Sequence, residues 1–143
     1  MIMENLIDSY TSGDIRFDLC FRNNTGGEFW LNPENESGLP LIVIGLEEED
    51  FWQVHATLLH ELFEMHMHLA GCRFLKTNDF SRSHGAFDFA MSHSVFSNIC
   101  VKVMEGMKEC ERDLKKEWTK FNNLHEVSPI EKENHVNMAS NEG

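Results

Sequence analysis

An α+β fold is the class that the sequence predicts, with a small, antiparallel sheet of three to four strands packed on a central helix and a long C-terminal helix. Three observations predict it. Apolar and polar side chains alternate over residues 14–21, short apolar segments follow at 28–31 and 41–44, and two later stretches repeat apolar side chains at helical spacing. Alternation with a period of two is typical of a half-buried strand, whereas spacings of three and four residues are typical of a helix.

The first strand-like segment places Ile15, Phe17 and Leu19 on one face and polar side chains on the other. Residues 23–27 are a turn cluster of Asn, Thr and Gly, so residues 28–31 are predicted to be the second strand of a hairpin. The apolar segment 41–44 is predicted as the third strand. A further short strand is expected over 86–91, and a loop over 72–83. The first dozen residues carry only a weak helical pattern.

Two helices are predicted in the second half of the chain. The first begins near residues 47–50, where acidic side chains suit the positive end of a helix dipole, and ends at Gly71, a natural C-terminal stop. The second covers residues 94–121, with Ser92 as its N-terminal cap. Its apolar residues return at spacings of three, four and seven, which is the pattern of a helix with one buried side.

The length and composition indicate one compact unit. The chain has 143 residues, of which 41% are hydrophobic and 25% charged, enough to form a core. We expect a single domain over residues 1–121 and a polar, mobile tail over 122–143. The four cysteines have no closely spaced pairs, so reduced, mostly buried thiols are predicted rather than a disulfide framework or a zinc site of four cysteines.

The charge balance excludes two classes of partner. The chain has 24 acidic and 12 basic residues, which gives a formal net charge of −12. Nucleic-acid backbones and anionic membrane surfaces attract clustered Lys and Arg, so we expect neither as a partner. No apolar run approaches the ~18 residues of a membrane-spanning helix, and the N-terminus lacks a basic segment followed by an apolar one. These features predict a protein of the cytoplasm.

The pattern that carries chemistry lies on the first helix. At about 100° per residue, His60 shares one narrow polar sector with Glu64, Thr57, His68 and Glu61. The rest of this helix is apolar nearly all round, which is typical of a central helix. Charged groups on such a helix are costly unless they pair or bind a metal ion. His60 and Glu64 stand one turn apart, the spacing that lets two side chains reach one ion.

A zinc site is the chemistry that this sector favours. Zinc accepts imidazole nitrogen and carboxylate oxygen, and a catalytic zinc keeps three protein ligands and a water. Glu61 follows the first ligand and is placed to take a proton from that water as a general base. The third ligand must come from elsewhere in the chain. His93 is the first choice, because the start of the last helix favours the neutral imidazole that a ligand must be; His84 and His68 are the alternatives.

Residues 60–64, His-Glu-Leu-Phe-Glu, resemble the HExxH helix of the zincin metallopeptidases, with Glu64 at the place of the second histidine. The order of a small sheet followed by the motif helix is also similar to that of a minimal zincin. Residues from 41 to about 118 resemble a group of small uncharacterised phage and bacterial proteins. The segments that carry this second resemblance are 58–64 and 89–96.

The resemblance implies a set of functional residues and an activity. His60, Glu64 and His93 would hold Zn²⁺ or another divalent transition metal, and Glu61 would act as the catalytic base. The implied activity is hydrolysis of peptide or amide bonds in a peptide or protein substrate. A zincin-like scaffold that has lost this chemistry is the alternative: a phage-type interaction protein whose acidic surface binds a host protein, in the host cytoplasm.

Two interpretations need no metal. His60, Glu61 and Glu64 form a buried hydrogen-bond network with Arg73, Arg82 or backbone groups, or the polar sector simply faces water. His66 falls outside the sector and is predicted to be a structural histidine near the end of the helix.

Overall fold

The α+β fold predicted from the sequence is present in the computed structural model, which describes residues 5–31, 33, 36–75, 87–89 and 91–126. Within these ranges the elements are, in chain order, β1 (Asn5–Ser12), β2 (Ile15–Arg22), β3 (Gly27–Trp30), β4 (Leu41–Gly45), α1 (Phe51–Leu69), β5 (Arg73–Leu75), β6 (Phe87–Phe89) and α2 (His93–Glu126). Neither of the described helices is long and apolar enough to cross a membrane.

The four strands β1 to β4 form one mixed sheet in the order β1-β2-β4-β3. The outer pairs β1–β2 and β3–β4 are antiparallel, but the central pair β2–β4 is parallel. The prediction of an antiparallel sheet is therefore wrong for the central pair. The predicted hairpin between segments 14–21 and 28–31 is also wrong, because β4 lies between them.

The true hairpin joins β1 to β2, so the weakly helical N-terminal segment is a strand. Gly13 makes this turn with a φ of +63°, a backbone conformation that is accessible to glycine without strain. Because β1 takes one side of β2, only the other side remains for β4. The β3 strand then pairs with the outer side of β4 and forms an edge of the sheet.

Both helices lie on one face of this sheet. Helix α1 contacts β3 and β4, and α2 contacts β1 and α1. This face of β2 carries Phe17, Leu19 and Phe21, the positions that the alternating pattern predicts to be buried. The core shared by the two layers includes Ile42, Ile44, Val54, Leu58, Leu62, Met65, Ile99, Val103, Met107, Cys110 and Leu114. The sheet thus positions α1 between the edge strand β3 and the second helix.

Helix α1 begins and ends within the predicted limits. Asp50 is the N-cap and accepts a hydrogen bond from the N–H of Trp52 at 3.0 Å, while Gln53 reaches back to close a capping box. Ala70 is the C-cap, and Gly71 follows with a φ of +70°. Left-handed backbone at this position is typical of a helix stop.

The remaining elements differ in part from the prediction. Helix α2 continues to Glu126, five residues past the predicted domain boundary at 121. The strand expected over 86–91 is observed as β6, and it pairs with β5, which lies inside the predicted loop 72–83. The predicted tail from residue 127 onward lies outside the described residues.

Candidate metal centre

Three side chains of α1 converge at the polar sector predicted from the sequence. His60, Glu61 and Glu64 each offer a ligand atom, and these atoms all lie within 4.8 Å of one another. The Nε2 atom of His60 is 3.6 Å from a carboxylate oxygen of Glu64. Helical geometry produces this convergence, because residues four apart stand above one another on one face.

The cluster has a wet side and a dry side. The His60 side chain is 72% exposed and that of Glu64 is 21% exposed, whereas Glu61 is only 4% exposed. Solvent therefore reaches the cluster from the side of His60, whereas the carboxylate of Glu64 is largely covered and that of Glu61 is buried.

Strand β3 covers the dry side. A Cβ atom on Gly27 would lie 2.7 Å from Cγ2 of Thr57 and 2.9 Å from Oε1 of Glu61. A side chain at this position would thus require β3 or the side chains of Thr57 and Glu61 to shift. The absence of a side chain at Gly27 lets the strand backbone approach the helix and enclose the Glu61 carboxylate. Two residues further along β3, the ring of Phe29 contacts the ring of His68 edge-on, with the ring centroids 6.1 Å apart.

The cluster therefore lies beside an edge of the sheet. Within the part of the chain that the structure describes, β3 pairs with β4 alone, and its residues Gly27 and Phe29 face the polar sector of α1. An edge strand offers main-chain N–H and C=O groups to a further strand. A peptide that paired with β3 would run close to the three converging side chains.

His93 is not part of the cluster. It is the first residue of α2 and is exposed, and the group of potential ligands found among the described residues contains only the three side chains of α1. Helix α2 contacts the side of α1 that carries His55 and Leu62, through the pair His55–Glu111 at 3.7 Å and through Gly106. At about 100° per residue, this side is across the helix from His60.

The other predicted candidates take different places. His68 is exposed and contacts Phe29 rather than joining the cluster. His84 and Arg82 lie outside the described residues, as does the side chain of Arg73. The structure thus brings His60, Glu61 and Glu64 together, and the identity of a ligand from another element stays a prediction.

The donor set suits a divalent transition metal. One imidazole and two carboxylates combine a borderline nitrogen ligand with hard oxygen ligands, a set that Zn²⁺, Mn²⁺ and Fe²⁺ accept. All three potential donors come from one helix, so an ion beside them would be approached from one side and would keep other positions for water or substrate. The exposed imidazole of His60 leaves one side of the cluster open to solvent.

Sequence reasoning missed a second polar group on α1. His66 is buried, with 3% exposure, and its Nε2 lies 2.8 Å from Oγ of Ser12, which donates to the carbonyl of Lys102 at 2.7 Å. Burial, and next the charge of Lys102, lower the pKa of His66. The sequence signal was the wheel position of His66 on an apolar side, where an imidazole needs a polar partner. The partner, Ser12, is 54 residues away in the chain.

Comparison of the chain with protein-family models, with curated proteins and with solved structures finds no match. The candidate metal site is therefore identified from the geometry of α1 and β3. Its three features are the convergence of His60, Glu61 and Glu64, the enclosure of Glu61 by Gly27, and the adjacent sheet edge.

Proposed function

We propose that the protein is a zincin-like metal-binding protein that hydrolyses peptide or amide bonds. His60 and Glu64 bind Zn²⁺ or another divalent transition metal, and Glu61 serves as the catalytic base. The observation that carries this proposal is the convergence of the three side chains within 4.8 Å of one another beside an edge strand. The acidic composition, with a net charge of −12, favours neutral or basic substrates.

A bound divalent ion would supply the chemistry by lowering the pKa of a water molecule and polarising a carbonyl group. The residues of the chain supply position and proton transfer. Glu61 is held against Gly27, so its carboxylate has few alternative positions and can accept a proton and pass it to the leaving amine. The open side at His60 and Glu64 admits the substrate.

An extended peptide fits the edge of β3. Pairing with β3 would satisfy the main-chain groups of the peptide and align it with the polar sector of α1. The backbone of Gly27 lies against the Glu61 carboxylate, so the scissile bond would lie near this residue. We expect the protein to act in the cytoplasm, where its four free cysteines stay reduced.

Calorimetric titration of chelator-treated protein with Zn²⁺, Mn²⁺ and Fe²⁺ tests the metal site. We expect one equivalent to bind, and the variants His60→Ala and Glu64→Ala to lower affinity by on the order of 100-fold, because loss of a ligand costs at least as much as loss of an outer partner. His55→Ala is the matched control, since His55 lies on the same helix but contacts Glu111. No uptake by the unmodified protein would refute the proposal.

Glu61→Gln separates the roles of ligand and base. We expect this variant to bind metal as the unmodified protein does but to lose hydrolysis of a casein or mixed-peptide substrate, because an amide cannot accept the proton. Loss of metal in Glu61→Gln would instead make Glu61 the third ligand. His93→Ala tests the predicted third ligand directly: the geometry of the cluster predicts no change in affinity, and a loss would show that His93 reaches the ion.

A non-catalytic interaction protein is the second candidate. The observation that favours it is the exposed apolar pair Val101 and Met104 on α2, which line one shallow pocket together with Cys100. Such side chains on a helix surface are typical of contact surfaces when they are contiguous. A host protein that is retained by His60→Ala but lost with Val101→Glu would support this candidate. Retention that required His60 would support the metal-dependent function.

A further inference from the structure

A cavity of about 290 Å³ lies on the other side of α1. It is bounded by the β1–β2 turn, the C-terminal end of α1 and the first turns of α2. Its lining is about equally polar and apolar, and it carries one ammonium group from α2, one carboxylate from the β1–β2 turn and the buried imidazole of His66. The lining includes Ile15, Leu69, Val95, Ile99, Lys102 and Asp14.

Lys102 is fixed in the wall of this cavity. A Cβ on Gly13 would lie 2.5 to 3.0 Å from three carbon atoms of the Lys102 side chain, so the lysine stem lies directly on the glycine of the turn. The carbonyl of Lys102 also accepts a hydrogen bond from Ser12. This packing restricts the first three carbon atoms of the side chain, and the ammonium group lies beside Asp14.

Asp14 occupies the position that a ligand would take. Its Oδ1 lies 2.8 Å from Nζ of Lys102, and the two side chains are 68% and 28% exposed. Asp14 can turn into water at little cost, because an exposed ion pair is worth only about 0–1 kcal/mol. Lys102 cannot leave without losing its packing on Gly13. The Asp14 carboxylate is therefore the group that a ligand can displace. The ligand must then accept hydrogen bonds from the Lys102 ammonium group.

We propose that this cavity binds a short monocarboxylate with an apolar body. The carboxylate takes the place of Asp14 on Lys102, and the body lies among Ile15, Leu69, Val95 and Ile99. A volume at the lower end of the usual range for ligand cavities, ~300–1,000 Å³, sets the small size. A phosphate group fits less well, because it needs several converging donors and Lys102 is the only cation in the described lining.

Titration of hexanoate into the full chain, at constant ionic strength, tests the proposal. We expect saturable binding at one site, and no comparable binding of hexylamine or 1-hexanol, which keep the apolar body but change the head group. Lys102→Met keeps a stem that packs on Gly13 and should weaken hexanoate binding about tenfold, because it removes a hydrogen bond to a charged group. Asp14→Asn should strengthen binding, since it removes the competing carboxylate.

The controls keep the result independent of the metal site. Lys108→Met removes an exposed charge from the same helix, outside this cavity, and should leave hexanoate affinity unchanged, as should His60→Ala. Asp14 is exposed, so Asp14→Asn provides a readout even if Lys102→Met fails to fold. Equal binding of hexylamine, no binding of hexanoate, or an Asp14→Asn variant that binds hexanoate no more tightly would each overturn the proposal.

Discussion

The two polar groups of α1 differ in how the fold holds them. On the side beside β3, His60 lies beside Glu64 across one helical turn and is exposed to solvent, whereas Glu64 is largely covered and Glu61 is buried against β3. On the opposite side, His66 is buried and meets Ser12, which in turn is bonded to the backbone of α2. The first group is exposed to solvent at His60, and the second is buried with its imidazole hydrogen-bonded to Ser12.

This difference suggests that one group contributes to folding stability and the other to ligand binding. A buried polar group with a partner from another element is explained by the fold, because an unpartnered one would cost about 1–3 kcal/mol. The His60 side chain is exposed, so its position beside Glu64 is not explained by burial. We therefore expect stability to depend on His66 and ligand binding to depend on His60.

Replacing one histidine in each group by alanine should give the largest expected effect, a difference in the free energy of unfolding. His66→Ala should lower the free energy of unfolding by about 3 kcal/mol, because it leaves a cavity and removes the partner of Ser12. His60→Ala should change it by less than about 0.5 kcal/mol, as is usual for exposed positions. Urea unfolding of the metal-free proteins measures both values. Equal destabilisation by the two variants would remove the distinction.

Gly27→Ala should have a smaller effect that reaches the open group. The added methyl group meets Thr57 and Glu61 below 3 Å, and relief requires β3 or these side chains to shift. We expect a loss of about 1–3 kcal/mol in stability, which is the usual cost of overpacking, together with weaker hydrolysis. Gly26→Ala is not a suitable control, because Gly26 has a φ of +78°. Thr57→Ala with Gly27→Ala should recover part of the loss, and no recovery would contradict contact at this point.

Local patterns predicted both helices, the strands β2, β3, β4 and β6 and the open group, but not β1, β5 or the arrangement between elements. The strand at 15–22 and the helix at 51–69 follow from periodicity within each segment, and the His60–Glu64 pair follows from the pitch of one helix. The order of the strands depends on which neighbour occupies each side of β2, and no single segment carries that information. For the same reason Ser12 and His66 were not paired from sequence, and the predicted approach of His93 to His60 depended on how two helices cross.

The pH dependence of stability is expected to be the smallest effect, and it arises at the buried group. Burial and Lys102 lower the pKa of His66 below its ordinary value of 6.5, while Asp14 and Glu105 oppose this shift. As the pH falls below about 6.5, the unfolded chain binds a proton that the folded chain excludes, so stability is lost progressively toward the lower folded pKa. Thermal unfolding of the metal-free protein between pH 7.5 and 5, with buffers matched in ionic strength, measures the decline.

His66→Gln removes the titrating ring but keeps a polar group beside Ser12, so its decline should be shallower than that of the unmodified chain. Parallel curves for the two proteins would assign the acid sensitivity to other residues and leave the buried imidazole without a role in it.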